Sequence, residues 1–232
     1  MFSNYLVVIP TYNESGNIEK LVNKLSHYNF HILVVDDNSP DKTFDIVEKH
    51  HNYGKNLFAI LRKNNRGYGK SVIEGFKYAI ENNYKYIVQM DSDFSHRIED
   101  LLPMCRLSKN FDLVIGSRYI SGGSIIGWGA DRKLLSKCAN VFAKNITNSN
   151  IKDMTSGFRI YSKSLINSID FQNIKSNGYS FLVEIIHKID KDNYKIIEHP
   201  ITFIDREIGK SKMSLKIIIE SFFKLLKIYF IK

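Results

Sequence analysis

Short β-branched runs alternate with longer amphipathic ones through the first half of this chain, and that rhythm leaves few folds open. The runs at 5–9, 32–35, 57–61, 86–90 and 113–115 read as strands, while 15–26, 42–51, 69–82 and 98–107 carry helical spacing. Such a βαβα order predicts an α/β fold, a mostly parallel central sheet covered by helices. No Pro- or Ser-rich linker interrupts the 232 residues, so the second half is expected to complete the same domain. It reads as a Gly-rich stretch over 121–129, a helix over 131–147, a strand at 158–161, a helix over 179–189, a strand at 195–198 and a polar segment over 205–213.

In sheets of this kind ligands bind beyond the carboxyl ends of the strands. The first strand is followed by Pro10-Thr11-Tyr12-Asn13-Glu14, the second by Asp36-Asp37-Asn38-Ser39-Pro40 and the fourth by Asp91-Ser92-Asp93. Three strand ends therefore deliver acidic residues to one rim. Asp91 and Asp93 stand two positions apart, a spacing that lets both carboxylates approach one hard cation such as Mg²⁺ or Mn²⁺ bound to a diphosphate. Asp36 and Asp37 are open to two readings, hydrogen bonding to a nucleobase or ribose, or an Asx turn that opens the next helix. Both readings fit if they apply to different residues. Asn65-Arg66-Gly67-Tyr68-Gly69-Lys70-Ser71 suggests a phosphate loop, but Asn64 and Val72 occupy positions where the Walker and dinucleotide patterns need small residues. A turn into a helix N-terminus, offering backbone amides to a nucleotide, is the remaining reading.

The formal charge of +9 implies an anionic partner. Its basic residues are spread along the chain and form no run interleaved with aromatics, so nucleic acid is not expected. Cys105 and Cys138 lie in no metal-ligand spacing, and no leader pattern precedes the first strand, which together predict a cytoplasmic setting. From 214 onward, Lys216, Glu220, Lys224 and Lys227 fall on one helical stripe beside a broad apolar face. Charge interrupts that helix too often for it to span a bilayer. Packing on the core, on a partner or on the membrane surface all remain open to it.

Seven blocks taken in order resemble the dolichol-phosphate mannosyltransferases of the inverting family 2 glycosyltransferases: VVIPTYNESGNI, ILVVDDNSPDKT, NRGYGKSVIEGF, VQMDSDFSH, VIGSRYISGG, DRKLLSKCAN and IDREIGKSK. The resemblance implies a GT-A-type fold over residues 1–212, followed by a C-terminal amphipathic helix over 213–232. It implies transfer of mannose from GDP-mannose to a polyprenyl phosphate in the membrane. Pro10, Tyr12, Glu14, Val35 and Asp37 match positions that hold the nucleotide; Asp91, Ser92, Asp93 and Ser95 match the metal and diphosphate site. The family often carries Gln where this chain has Ser95, which leaves direct, water-mediated or no ligation open there. Arg118, Arg132 and Ser136 match the pocket for the acceptor phosphate, and Arg206 and Lys212 match a loop that closes over the donor phosphates. A reaction between two anions needs such fixed positive charge. An acceptor phosphate monoester, largely dianionic at neutral pH because its second pKa is about 6, needs no protein base to attack.

Peripheral membrane association is therefore expected, with acceptor access through the protein's own surface or a separate membrane protein. Two other functions remain in view, a UDP-glucose-dependent polyprenyl-phosphate glucosyltransferase and a non-catalytic subunit that binds nucleotide sugar.

Overall fold

The computed structural model describes residues 2–174, 176, 178–189 and 193–206. The helix expected over 213–232 and Lys212 lie outside them. The elements run β1 (Tyr5–Thr11), α1 (Ile18–Ser26), β2 (His31–Asp36), α2 (Thr43–Glu48), β3 (Leu57–Leu61), α3 (Tyr68–Glu81), β4 (Tyr86–Gln89), α4 (Ile98–Leu107) and β5 (Leu113–Ser117). There follow β6 (Ser124–Ile126), α5 (Ala130–Ile146), β7 (Arg159–Ser162), α6 (Lys163–Ser168), a 3-10 turn at Phe171–Asn173, α7 (Tyr179–Lys188), β8 (Ile196–Pro200) and β9 (Thr202–Ile204).

Among the described residues, seven strands form one sheet in the order β3-β2-β1-β4-β7-β5-β8. All neighbours are parallel except at β7, which runs antiparallel to both β4 and β5. The strand order turns back at β1, which has β2 on one side and β4 on the other. Such a switch point opens a crevice at the carboxyl ends of the two diverging strands, where β1 delivers Pro10 to Glu14 and β4 delivers Asp91 to Asp93.

Alternation along β1 divides the core in two. Leu6 and Val8 face one apolar layer with Val72 and Phe76 of α3, while Tyr5, Val7 and Ile9 face the other with Leu21 and Leu25 of α1. Both faces being covered, the central strands are apolar almost throughout, as parallel sheets require. Gly75 lets α3 approach closely: a Cβ there would stand 2.2 Å from Val8 Cγ1.

The second half adds to the expected plan the helix α6 and a short ribbon. The Gly-rich stretch contains β6, which pairs in parallel with β9 to form a separate two-stranded ribbon. Ile204 N donates to the Ser95 carbonyl at 3.3 Å, tying this ribbon to the segment after β4. At three residues each, β6 and β9 are too short for alternation to reveal them.

Candidate active site

The two aspartates that end β2 do different work. Asp36 accepts hydrogen bonds from Ser39 N (2.8 Å), Ser39 Oγ (2.6 Å) and Thr11 Oγ1 (2.9 Å), and so closes the turn. Asp37 faces the opposite way, paired with Arg62 and accepting from Gly67 N (2.7 Å) and Ser71 Oγ (2.9 Å). It lines a cavity of about 400 Å³ together with Pro10, Tyr12 and Arg66. The Arg66 guanidinium lies 5.2 Å from the centre of the Tyr12 ring and donates to Asn38 O at 3.0 Å, which holds one wall of that cavity flat. Of the backbone amides in this turn, that of Gly67 is occupied by Asp37.

A second cavity, of about 240 Å³, adjoins the first and shares Pro10 and Tyr68 with it. Its floor is the end of β4. Asp91 accepts from Tyr68 Oη at 3.2 Å through Oδ1, and its Oδ2 lies 3.8 Å from His96 Nε2. The Asp91 amide donates to His96 Nδ1 at 3.1 Å, which places the proton of the neutral ring on the nitrogen facing the carboxylate. Burial lowers the pKa of His96 against the pull of Asp91 and Asp93, and its ring stacks on Phe158 at 4.7 Å. Burial likewise raises the carboxyl pKa of Asp91; the charge of Asp93 adds to that rise, while His96, the Tyr68 hydroxyl and Arg206 oppose it. Asp93 accepts from Ser95 N at 3.1 Å and pairs with Arg206 Nη2 at 2.9 Å.

Basic residues of the second half form the facing wall. Arg118, carried on the loop after β5, is gripped by Asp153: Nε to Oδ2 and Nη2 to Oδ1, both 2.7 Å, with its own amide donating to Oδ2 at 3.0 Å. Tyr119, Trp128 and Phe203 surround the guanidinium with ring centres 5.3 to 5.5 Å away. Burial alone would raise the Asp153 carboxyl pKa, yet the charge and hydrogen bonds of Arg118 outweigh it and hold the pKa below the usual value. Arg132, in the first turn of α5, stacks on Trp128 at 4.0 Å and bonds both oxygens of Asp205 at 3.1 Å.

Of the residues singled out in the sequence, Pro10, Glu14, Asp91, Ser92, Asp93, Ser95, Arg118, Arg132 and Arg206 all line the smaller cavity, and Tyr12 and Asp37 line the larger one. Val35 does not reach either: it is fully buried in the apolar layer under β2. Ser136 is also off both walls, one helical turn beyond Arg132, where it accepts the Tyr119 hydroxyl proton at 2.7 Å. Tyr68, His96, Trp128, Asp153 and Asp205 were not singled out. Tyr68, Asp153 and Asp205 act through partners 23 to 73 residues away, which spacing does not reveal.

Among the described residues no group of three His, Cys, Asp or Glu side chains is arranged to hold a metal ion. Two carboxylates and a neighbouring hydroxyl are nonetheless hard oxygen donors suited to Mg²⁺ or Mn²⁺ that also takes phosphate oxygens. The cationic Arg206 against Asp93 shows that this pair attracts positive charge.

Known proteins share this fold and family. The family model described as "Glycosyl transferase family 2" matches residues 6–170. Over 224 residues the chain is 35% identical to the polyprenol monophosphomannose synthase of Mycolicibacterium smegmatis, covering 95% of this chain and 84% of that one. Over 211 residues it is 35% identical to the undecaprenyl-phosphate mannosyltransferase of Micrococcus luteus, covering 90% and 87%. The crystal structure of glucosyl-3-phosphoglycerate synthase from Mycobacterium tuberculosis superposes with a TM-score of 0.68 at 15% identity, over 97% of this chain and 80% of that one. The same enzyme solved with Mn²⁺ and UDP superposes at 0.65 and 15% identity, over 95% and 79%.

Proposed function

The chain belongs to glycosyl transferase family 2 and is a glycosyltransferase, and from that premise we propose that it transfers mannose from GDP-mannose to a membrane polyprenyl phosphate with inversion at the anomeric carbon. The observation that carries this reading is the meeting in one cavity of the acidic pair Asp91 and Asp93 with Arg118, Arg132 and Arg206. Joining two phosphate-bearing substrates requires such a mixture of charges. Mannose is favoured by the names of the two relatives that align over most of the chain.

The donor's base and ribose enter the larger cavity, where Asp37 supplies a carboxylate fixed by Arg62 and Gly67, and Tyr12 with Arg66 supplies a flat wall. Its diphosphate reaches the smaller cavity past Pro10 and Tyr68, which line both. Asp91 and Asp93, with Ser95 beside them, hold a divalent cation there. When bound, that cation supplies charge neutralisation to the departing nucleoside diphosphate. Arg206 leaves Asp93 for the diphosphate and adds a second positive charge.

Arg118 and Arg132 orient the acceptor phosphate, and the Ser136 hydroxyl lies on the same helix side as Arg132. Asp153 and Asp205 fix the two guanidinium groups before substrate arrives, so little reorganisation remains at the moment of reaction. A phosphate oxygen, already ionised, then attacks the anomeric carbon opposite the leaving diphosphate. No side chain needs to remove a proton.

The acceptor brings the cavity to a membrane surface. On α5, Leu134 and Val141 are 65% and 54% exposed, Leu135 is also exposed, and Lys133 and Lys137 flank them. Leu134 and Val141 share one face of α5, across the helix from Arg132, and that face would rest on the bilayer surface. Among the described residues no helix is long and apolar enough to cross a membrane.

Transfer of labelled sugar from GDP-mannose and from UDP-glucose to a short polyprenyl phosphate tests the donor. Activity with UDP-glucose alone overturns mannose. In the same assay, Asp91→Asn with Asp93→Asn is expected to lower turnover by at least about a thousandfold, as removal of charge-stabilising groups does. Undiminished transfer by that purified variant would remove the cation from the site.

A further inference from the structure

Tyr68 lines both cavities, and its hydroxyl carries to Asp91 a hydrogen-bond chain that begins deep in the sheet. Gln89 and Arg159 are register partners across the antiparallel β4–β7 pair, with Tyr161 two positions beyond Arg159 on the same face. The Arg159 guanidinium is fully buried; it donates to the Ser156, Leu182 and Met154 carbonyls at 2.8 to 3.0 Å and lies beside the Tyr161 hydroxyl. Tyr161 Oη donates to Gln89 Oε1 at 3.0 Å, Gln89 Nε2 donates to Tyr68 Oη at 2.8 Å, and Tyr68 Oη donates to Asp91 Oδ1 at 3.2 Å.

The order of this chain is fixed by its chemistry. An amide nitrogen only donates, so Tyr68 must accept from Gln89 and direct its own proton elsewhere. Asp91 Oδ1 receives it. Positive charge at one end and a carboxylate at the other give every dipole the same sense, and such aligned bonds strengthen one another in a buried setting. Gly157 leaves the space this requires: a Cβ there would stand 2.6 Å from Tyr68 Oη.

We propose that Tyr68 is a positioning residue for the donor's metal–diphosphate site: it holds Asp91 in one orientation through the Tyr161–Gln89–Tyr68 chain and so sets cation affinity. The inference rests on the reading that Asp91 meets the cation of the donor. With Oδ1 held by Tyr68 and the other oxygen facing His96, the carboxylate has one way to present itself to the cavity. A freely rotating carboxylate would have to be ordered each time a cation bound.

The test is Mn²⁺ titration, followed by electron paramagnetic resonance, of the full-length protein with GDP, and with UDP in parallel. Tyr68→Phe keeps the ring between the cavities and removes only the hydroxyl. It should weaken Mn²⁺ binding about tenfold, the factor for losing one hydrogen bond to a charged group, while nucleotide affinity in EDTA stays at the parental value and the melting temperature falls by a few degrees because Gln89 Nε2 loses its acceptor. Gln89→Met preserves volume and leaves the Tyr68 proton undirected, so it should weaken Mn²⁺ binding by a smaller factor and add nothing in the Tyr68→Phe background. Parental Mn²⁺ affinity in Tyr68→Phe, or strictly additive losses in the double variant, overturns the positioning role. No Mn²⁺ binding by the parent with either nucleotide overturns the cation site itself and this role with it.

Discussion

Arg118 is gripped in the cavity wall by Asp153, which is fully buried and contacts it through both side chain and backbone. Removing the negative charge leaves a buried guanidinium without its counterion, a change that costs about 3–5 kcal/mol. Asp153→Asn is therefore expected to lower the melting temperature by about 10 °C at neutral pH. Because the folded pKa of Asp153 is depressed below the usual carboxylate value of 3.8, its contribution is complete above about pH 4 and is lost as pH falls through the folded value. The gap between parent and variant should close in that acid range, as calorimetry across pH will record. Asp91 has the opposite sign. Its pKa is raised above 3.8, so in metal-free protein the ionised form is a burden that sets in as pH rises through the folded value and is absent below pH 4. Asp91→Asn in EDTA should melt above the parent at pH 8, with no advantage at pH 4. A lower melting point at pH 8 would contradict the raised pKa. The two residues also differ in how visible the sequence makes them. Asp91 follows an apolar run and is half of a close pair, whereas Asp153 meets Arg118 across 35 residues with nothing in its own neighbourhood to mark it.

At the scale of elements, the contact between α3 and β1 sets where the rim residues Pro10 to Glu14 emerge. Alanine at 75 would gain about 1 kcal/mol of helix propensity over glycine, but its methyl would lie 2.2 Å from Val8 Cγ1 in a closed layer. Overpacking of this kind costs about 1–3 kcal/mol. Gly75→Ala should be net destabilising in chemical denaturation, and Val8→Ala should recover part of the loss in the double variant; independent, additive effects would show that the helix simply moves away. The parallel strands and their helices were legible because each buries a full face and so repeats its period over several residues. The β6–β9 ribbon was not, although Asp205 follows it and Phe203 within it packs on Trp128 at 5.2 Å. Its six residues are held by pairing between segments 78 apart, as between Ser124 Oγ and Thr202 Oγ1, and no local period encodes that. Antiparallel β7 was legible as a strand at 158–161, but not its insertion between β4 and β5. That insertion brings Arg159 and Tyr161 beside Gln89 and thereby makes the hydrogen-bond chain to Asp91.

For the molecule as a whole, the switch point places both cavities on one edge, and α5 runs along that edge from Arg132 outward. A net charge of +9 draws such a molecule to an anionic surface, but charge alone does not select the face that docks. The exposed Leu134 and Val141 do, since burying apolar side chains at an interface contributes about 1.5–3 kcal/mol each. If that face meets the bilayer, Leu134→Asp with Val141→Asp should reduce recovery with anionic vesicles in flotation by about tenfold or more. Neither residue lines the cavities, so the same variant should bind nucleotide normally and transfer sugar at the parental rate to a water-soluble, short-chain acceptor. Recovery equal to the parent at both low and high salt would exclude α5 as the docking face. Recovery equal to the parent at low salt and lost at high salt would assign the first approach to the lysines and the retention to the leucine and valine, because ionic attraction is screened within about 10 Å at 0.1 M salt whereas apolar burial is not.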